Sequence, residues 1–398
     1  MRMSEFAIAR TAAEYMKSLS VRQFGPVKEG CVELGDLTLL VGPQATGKSL
    51  FLQMLKLVMD AGAIKAELKR FNIRWNGVAD FFELYFGEGM STLYQEQETE
   101  TTVDGTKIDL ARYLNKYRLP TEESLFYIPA QRVVTIRDGL TRPFTDYRAG
   151  DPFVVRAFSE RLHQLVQTEF ARVDQLFPQQ GKLRREYRQL IERHVFGKFQ
   201  LATDVERFQR RMVLKEAGER VLPFLVWSAG QREFVPLLLG LYWLIPSGKV
   251  SRRGEVEWVV IEEPEMGLHP KAIAVVTLLV LELLRRGYRV CLSTHSPHVL
   301  EVVWAIKMFQ LHSGTEADLR NLFELPARAG MKELAEVCLN KSYRVYYFQQ
   351  DGTVQDISAL DPAASDAAES GWGGLTEFSA NISEVVSRVV SRSVQRTA

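Results

Sequence analysis

Cysteine is scarce in this chain: Cys31, Cys291 and Cys338 are the only three among 398 residues. An odd number without C-x-x-C spacing excludes a disulfide framework and a cysteine zinc site, and fits a reducing compartment. Neither sign of charge is in excess, since 50 Lys and Arg against 49 Asp and Glu leave a formal +1. That balance excludes neither nucleic acid nor protein as a partner, so local clusters carry the information. Long apolar runs are missing too. "FVPLLLGLYWLIP" is among the longest and falls short of a bilayer span, and the opening "MRMSEFAIARTAAEYMKS" lacks the apolar core of a signal peptide. We therefore expect a soluble, cytoplasmic protein with no membrane partner. There is no internal repeat. With 46% hydrophobic and 25% charged residues, the composition is that of an ordinary globular protein.

Along the chain, an N-terminal helix is expected first. "SLSVRQFGPVKEGCVELGDLTLLVGP" then reads as short strands split by Gly-Pro and Gly-Asp turns, ending in the apolar strand "LTLLV". A glycine-bearing loop follows, and "SLFLQMLKLVMD", Ser49 to Asp60, has apolar residues at helical spacing. "QEQETETTVDGTKIDL" reads as an exposed turn region between strands, and "SLFYIPAQRVVTI" as a buried strand. From Asp151 to Val195 two helical patterns broken by "PQQG" predict a helical hairpin, and Phe196 to Val226 a small antiparallel sheet. "SAGQREFVPLLLGLYWLIP", "EWVVIE", "KAIAVVTLLVLELLRRG" and "YRVCLSTHS" alternate helix and strand, which argues for an α/β sheet. "YRVYYFQQDGTVQDI" reads as a hairpin, followed by the small-residue linker "SALDPAASDAAESGWGG". The final segment places Leu375, Phe378, Ile382, Val385, Val386 and Val389 on one helical face, for docking on its own domain or on a partner.

"GPQATGKS", Gly42 to Ser49, matches the G-x-x-x-x-G-K-[ST] phosphate loop in its strand-loop-helix context. Gly42, Pro43, Gln44, Ala45, Thr46, Gly47, Lys48, Ser49 and Leu50 are the candidate ATP-binding residues. The glycines turn the backbone so that successive N–H groups face phosphate oxygens, Lys48 reaches the β- and γ-phosphates, and Ser49 ligates Mg²⁺. Two adjacent acids ending a buried strand, Glu262 and Glu263, are costly there unless a cation faces them. Glu262 is the candidate Mg²⁺ ligand and Glu263 the residue that orients or deprotonates the attacking water, whereas Glu265 suits a structural role. Ser228 in "VWSAGQRE" is a natural helix N-cap. His295 ends a strand, where an imidazole can meet a γ-phosphate or the attacking water. His298 lacks the third ligand a metal site needs.

Taken in order, "GPQATGKS", "FYIPAQR", "SAGQRE", "IEEPEMGLHP" and "LSTHSPHVL" resemble the ABC-type ATPase domains of the OLD family and its RecF- and SMC-like relatives, from about Ser20 to Ile306. The resemblance implies an α/β fold: an ABC-ATPase head with a mixed central sheet flanked by helices, an antiparallel β subdomain and a helical-hairpin lobe. Residues 1–150 and 227–350 would form the head, 151–226 the hairpin and small β insertion, and 351–398 a linker and C-terminal helix. It also implies ATP and Mg²⁺ as cofactors, and Ser228, Ala229, Gly230 and Gln231 as a signature that meets the nucleotide of an opposing subunit. Ala229 departs from the commonest "SGGQ" form. Gln131, in preference to Arg132, falls in the Q-loop region that senses Mg²⁺ and water, His295 matches the switch histidine, and Leu268 and His269 would face the partner subunit.

Only about a hundred residues follow His295, without a D-x-D pair, so the nuclease that OLD proteins carry after the ATPase is not apparent. The expectation is an ATPase that forms a nucleotide-sandwich homodimer or a larger homo-oligomer. It would act as a switch for a separately encoded effector, such as a nuclease, in prokaryotic anti-phage defence. Two alternatives stay open: a DNA-repair ATPase whose "GKLRREYRQLIERH" and "RFQRRM" contact DNA phosphates, and a nucleotide-stabilised scaffold with little turnover.

Overall fold

Glycine-marked turns and alternating apolar residues set the first elements. A computed structural model describes residues 16–115, 119–206, 209–216, 220–245 and 252–397; the expected N-terminal helix lies outside them. Strands β1 (Ser18–Phe24) and β2 (Val27–Glu33) pair antiparallel around Gly25. β3 (Leu37–Val41) leaves for a second sheet and runs into α1 (Lys48–Arg70). Past α2 (Val78–Phe86), β4 (Glu100–Val103) and β5 (Thr106–Ile108) join the first sheet in the order β2-β1-β4-β5, before α3 (Leu110–Asn115) and β6 (Leu125–Ile128).

The middle of the chain makes the short hairpin β7 (Ile136–Arg137) and β8 (Leu140–Thr141), then α4 (Phe153–Thr168), β9 (Gln175–Phe177) and α5 (Arg185–Ile191). The span expected as a helical hairpin is thus split by a strand: α4 packs on β6 and on the helix after Ser228, and α5 on the helix after His269. β9 joins β10 (Phe199–Glu206), β11 (Gln209–Glu216) and β12 (Val221–Leu222) in an antiparallel sheet ordered β12-β11-β10-β9.

Then come α6 (Ala229–Leu244), β13 (Trp258–Glu262), α7 (Pro270–Arg285), β14 (Arg289–Ser293), α8 (Pro297–Leu311), α9 (Glu316–Leu322) and α10 (Ala329–Leu339). β15 (Tyr343–Phe348), β16 (Val354–Asp356), α11 (Ala367–Ser370) and α12 (Glu377–Thr397) complete the chain. The expected linker after β15 is pinned down: Trp372 is buried, and its indole N–H donates to the Leu360 carbonyl at 3.1 Å.

The central sheet has the order β16-β15-β3-β14-β13-β6, with every neighbouring pair parallel except β15 with β16. Its period-2 pattern divides two cores. Leu37, Leu39, Val41, Phe126, Ile128, Val259, Ile261, Val290 and Leu292 face one core with α6, α7 and α8. Leu40, Leu125, Tyr127, Trp258, Val260 and Cys291 face the other, against α1 and the first sheet. The fold is therefore α/β, with a mostly parallel central sheet covered on both faces. Register places Glu262 beside Ser293 and Ser293 beside Leu40. The carboxyl ends of β6, β13, β14 and β3 thus form one edge, where open α/β sheets bind ligands.

Candidate functional site

β3 ends at Gly42, whose φ of 133° is open to glycine alone, and a Cβ there would sit 2.3 Å from the Phe348 carbonyl oxygen. Gly47, at φ 94°, precedes α1 with no side-chain cap, leaving the helix N-terminus to the loop it closes. Between them Pro43 is half-buried, Gln44 and Ala45 are exposed and Thr46 is buried, while Ser49 and Leu50, in the first turn of α1, are half-buried. The Thr46 hydroxyl donates to the Pro43 carbonyl at 2.9 Å. The Lys48 ammonium is buried and turned back on the loop, donating to the carbonyls of Gly42 at 2.8 Å and Pro43 at 2.6 Å. Burial pulls its pKa down to about 8, against the opposing pull of Glu263.

β13 delivers Glu262 into the interior. Its Oε2 accepts the Ala130 N–H at 3.1 Å, and its Oε1 is buried without a hydrogen-bond partner. Burial raises its pKa, opposed by the Ser49 hydroxyl, the Ala130 N–H and the Tyr127 hydroxyl. A buried carboxylate with an idle oxygen, beside the hydroxyl that opens α1, supplies the hard oxygen ligands that Mg²⁺ takes alongside phosphate and water. The donor set fits the cation.

The next residue turns away from the strand. Glu263 has φ 42°, a left-handed conformation that a non-glycine residue keeps only when its surroundings impose it. Here the Glu263 N–H donates to the Ser293 carbonyl at 2.9 Å, while its own carbonyl accepts from the Arg132 guanidinium at 2.9 Å. So held, its carboxylate lies 3.4 Å from His295 Nε2. The contact with His295 is the main cause of its lowered pKa, with Lys48 and Arg132 adding to it and burial opposing. Glu265 fixes the histidine's backbone: its Oε1 accepts the His295 N–H at 2.6 Å and the Thr294 hydroxyl at 2.8 Å.

Arg132 has the widest reach here. Fully buried, its guanidinium donates to the carbonyls of Glu262 at 2.9 Å, Glu263 at 2.9 Å and Glu233 at 3.1 Å, and lies 3.7 Å from the Glu233 carboxylate. The stronger sequence candidate, Gln131, is exposed one residue earlier. An arginine at the end of an apolar strand was the available signal for the hub, because burying a guanidinium demands several acceptors.

Ser228 caps α6, its hydroxyl accepting the Gln231 N–H at 3.3 Å while Gln231 returns a bond to the Ser228 N–H at 3.0 Å. Ser228 and Ala229 are exposed. Gly230 packs so closely on Gly267 that a Cβ would lie 2.6 Å from the Gly267 carbonyl oxygen. His269 caps α7 by accepting the Lys271 N–H at 3.3 Å, and Leu268 is partly packed on the core. His298 pairs with Glu301 on its own helix at 2.8 Å. The structure thus gathers Gly42–Ser49, Glu262, Glu263 and His295 at one edge, and places the Ser228–Gln231 turn against the 266–270 loop.

Residues 155–301 match the family model described as "AAA domain, putative AbiEii toxin, Type IV TA system". The match begins in α4 and ends in α8, taking in Ser228, Glu262, Glu263 and His295 but not the Gly42–Ser49 loop. No curated protein matches the sequence. Among solved structures, the chain is similar to an SMC head domain from Thermotoga maritima, at 13% identity and a TM-score of 0.33, over 72% of this chain and 91% of that one. It is also similar to a bacterial ABC transporter cassette solved as a dimer, at 13% identity and a TM-score of 0.35, over 85% and 96%. An SMC head bound to the C-terminal winged-helix domain of ScpA gives 12% identity and a TM-score of 0.40, over 72% and 91%. The loop geometry and the family match together support a P-loop ATPase. Among the described residues, no helix is long and apolar enough to cross a membrane.

Proposed function

We propose that the chain is an ABC-type ATPase whose two heads close around two ATP molecules, and that the closed dimer switches a separately encoded effector. One observation carries the hydrolytic reading: a left-handed Glu263, held at the strand end by Arg132 and Ser293, aims an ionised carboxylate at His295 beside the Lys48 loop. Lys48 leaves its loop carbonyls for the β- and γ-phosphates of the substrate. Mg²⁺, held by Ser49 and Glu262 with Gln131 as a further candidate, would neutralise phosphate charge. Glu263 accepts a hydrogen bond from the attacking water, and His295 keeps that carboxylate charged and oriented. The exposed start of α6, with Ser228 and Ala229 at its tip, supports the dimer reading. An exposed helix N-terminus, at the positive end of the helix dipole, suits a γ-phosphate bound by another copy.

The basic segments offered for DNA are largely engaged. Lys182 pairs with Glu169 at 2.5 Å and Arg210 with Asp174 at 2.8 Å, Arg184 lies 4.0 Å from Glu333, and Arg188 donates to the Gln179 carbonyl. The effector rests on the resemblance to stand-alone OLD-like defence ATPases, as does the anti-phage setting, and co-purification of a neighbouring gene's product only in the presence of ATP checks it. For the site, Glu263→Gln is expected to lower ATP turnover at least about 100-fold and to accumulate an ATP-bound dimer seen by light scattering. Unchanged turnover and unchanged mass together overturn the assignment.

A further inference from the structure

α6 starts at the exposed Ser228–Ala229 tip and is buried from Phe234 to Leu244. Glu233 lies between the two, and its contact with Arg132 is incomplete. Arg132 Nε donates to the Glu233 main-chain carbonyl at 3.1 Å, while the side-chain Oε2, 3.7 Å from that nitrogen, is buried without a hydrogen-bond partner among the described residues. An idle carboxylate oxygen in the interior is costly, and a charge-assisted bond of about 2.8 Å is an approach of about 1 Å away. Burial raises the pKa of Glu233, with Arg132 the main opposing influence. The helix also has a place to bend. Pro236 offers no N–H to the Arg232 carbonyl, which loosens the first turn from the buried remainder. That turn touches the catalytic edge a second time, since Gly230 packs on Gly267 and the Met266 N–H donates to the Glu263 carbonyl at 3.2 Å.

We propose that Glu233 is a positioning residue that ties the tip of α6 to Glu263 of the same chain through Arg132, so that a head hydrolyses its ATP fast only once its own Ser228–Gln231 turn has docked on the nucleotide of the opposing head. This coupling rests on the sandwich reading above and adds a direction of control to it: the tip that completes the other head's site also reports that occupancy to its own. Arg132 holds the carbonyls of Glu262 and Glu263 at 2.9 Å each, and Glu263 keeps its φ of 42° only while its surroundings impose it. Phosphate charge at the helix N-terminus draws the first turn toward the opposing head. Movement about Pro236 then brings the Glu233 carboxylate onto the guanidinium. Closing that pair fastens Arg132 across Glu233, Glu262 and Glu263, and with it the carboxylate aimed at His295. An undocked head keeps the pair open and holds Glu263 less firmly.

The test mixes two full-length variants, each expected to be inactive alone: Ser228→Arg, which blocks docking of the α6 tip, and Glu263→Gln, which removes the water-activating carboxylate. In a mixed dimer, the ATP on the Ser228→Arg copy meets an intact Glu263 and the intact tip of the other copy, so its site has every group it needs. Independent sites would restore about a quarter of wild-type turnover in an equal mixture, because half of the dimers are mixed and each has one complete site. The expected turnover is at least about tenfold below that, although tagged Ser228→Arg retains untagged Glu263→Gln in ATP. Glu233→Gln keeps the shape and removes the charge. It should lower kcat at least about tenfold with KM for ATP unchanged, and leave the ATP-induced dimer mass unchanged when combined with Glu263→Gln. Restored turnover in the mixture overturns the coupling and leaves the sandwich standing. A Glu233→Gln kcat within about twofold of wild type overturns it too, and decides alone where no mixed dimer is retained. Loss of the dimer along with kcat marks a merely structural Glu233 and counts the same way. Wild-type turnover by Ser228→Arg alone removes the sandwich itself. ATP binding by each variant shows that it has folded.

Discussion

Lys48 shows how one buried charge links ligand and pH. In the free protein it titrates near 8 because burial penalises its ammonium form, whereas phosphate oxygens favour that form. The folded protein therefore holds fewer protons at this site than the unfolded chain between about 8 and the ordinary lysine value of 10.5. Across that window the penalty eases and stability rises with pH. Nucleotide binding has the opposite sign, since above the free pKa a proton must be taken up as phosphate arrives. ATP affinity should be flat below about pH 8 and fall by up to about tenfold per pH unit above it. Lys48→Met should bind weakly at every pH without that decline; titrations between pH 7 and pH 9.5 check both. Arg132 is coupled to the other half of the site. Arg132→Lys keeps the charge but cannot reach three carbonyls at once, so kcat should fall at least about tenfold with KM for ATP little changed. A change confined to KM, or none, counts against a positioning role. Arg132→Met leaves the half-buried Glu233 without its cation and the carbonyls of Glu262 and Glu263 without their donor, and should lose about 3 kcal/mol of stability in urea unfolding.

At the scale of elements, α6 and the 266–270 loop are joined by contact between Gly230 and Gly267. Alanine is the better helix former by about 1 kcal/mol, but a Cβ at position 230 would stand 2.6 Å from the Gly267 carbonyl oxygen, and overpacking costs about 1–3 kcal/mol. Gly230→Ala should therefore be less stable, and an equal or higher urea midpoint rejects the contact. Most elements around it were legible in the sequence, because each carries its own period or turn: Gly25-Pro26, the all-apolar "LTLLV", the Ser228 cap, the five residues of β13. The expected hairpin was not legible as two separate helices. β9 spans three residues, too few to show alternation, and exists by pairing with β10. The expected linker likewise looked free by composition, while one tryptophan bonded to the Leu360 carbonyl holds it down.

At the scale of the molecule, the site belongs to no single element. Four strands that are distant in sequence end at one edge, so Lys48, Glu262 and His295 were each readable in a local motif while their meeting was a product of the sheet. Arg132 was undervalued because its partners lie 101 and more residues away, beyond any periodicity. The same geometry makes nucleotide a ligand of the whole fold, since the Lys48 loop closes between α1 on one core and β3, which contributes to both. A ligand that binds only the folded state stabilises it by about 2.7 kcal/mol at a hundred times its Kd. ADP should raise the unfolding midpoint by an amount independent of protein concentration. ATP should raise it further, and increasingly with protein concentration, because the sandwich ties binding to association. Glu263→Gln should keep the ATP shift, having lost turnover and not the pocket, and Lys48→Met should lose it. Equal, concentration-independent shifts for ATP and ADP leave a nucleotide site without a sandwich, and no shift with either removes the nucleotide site itself.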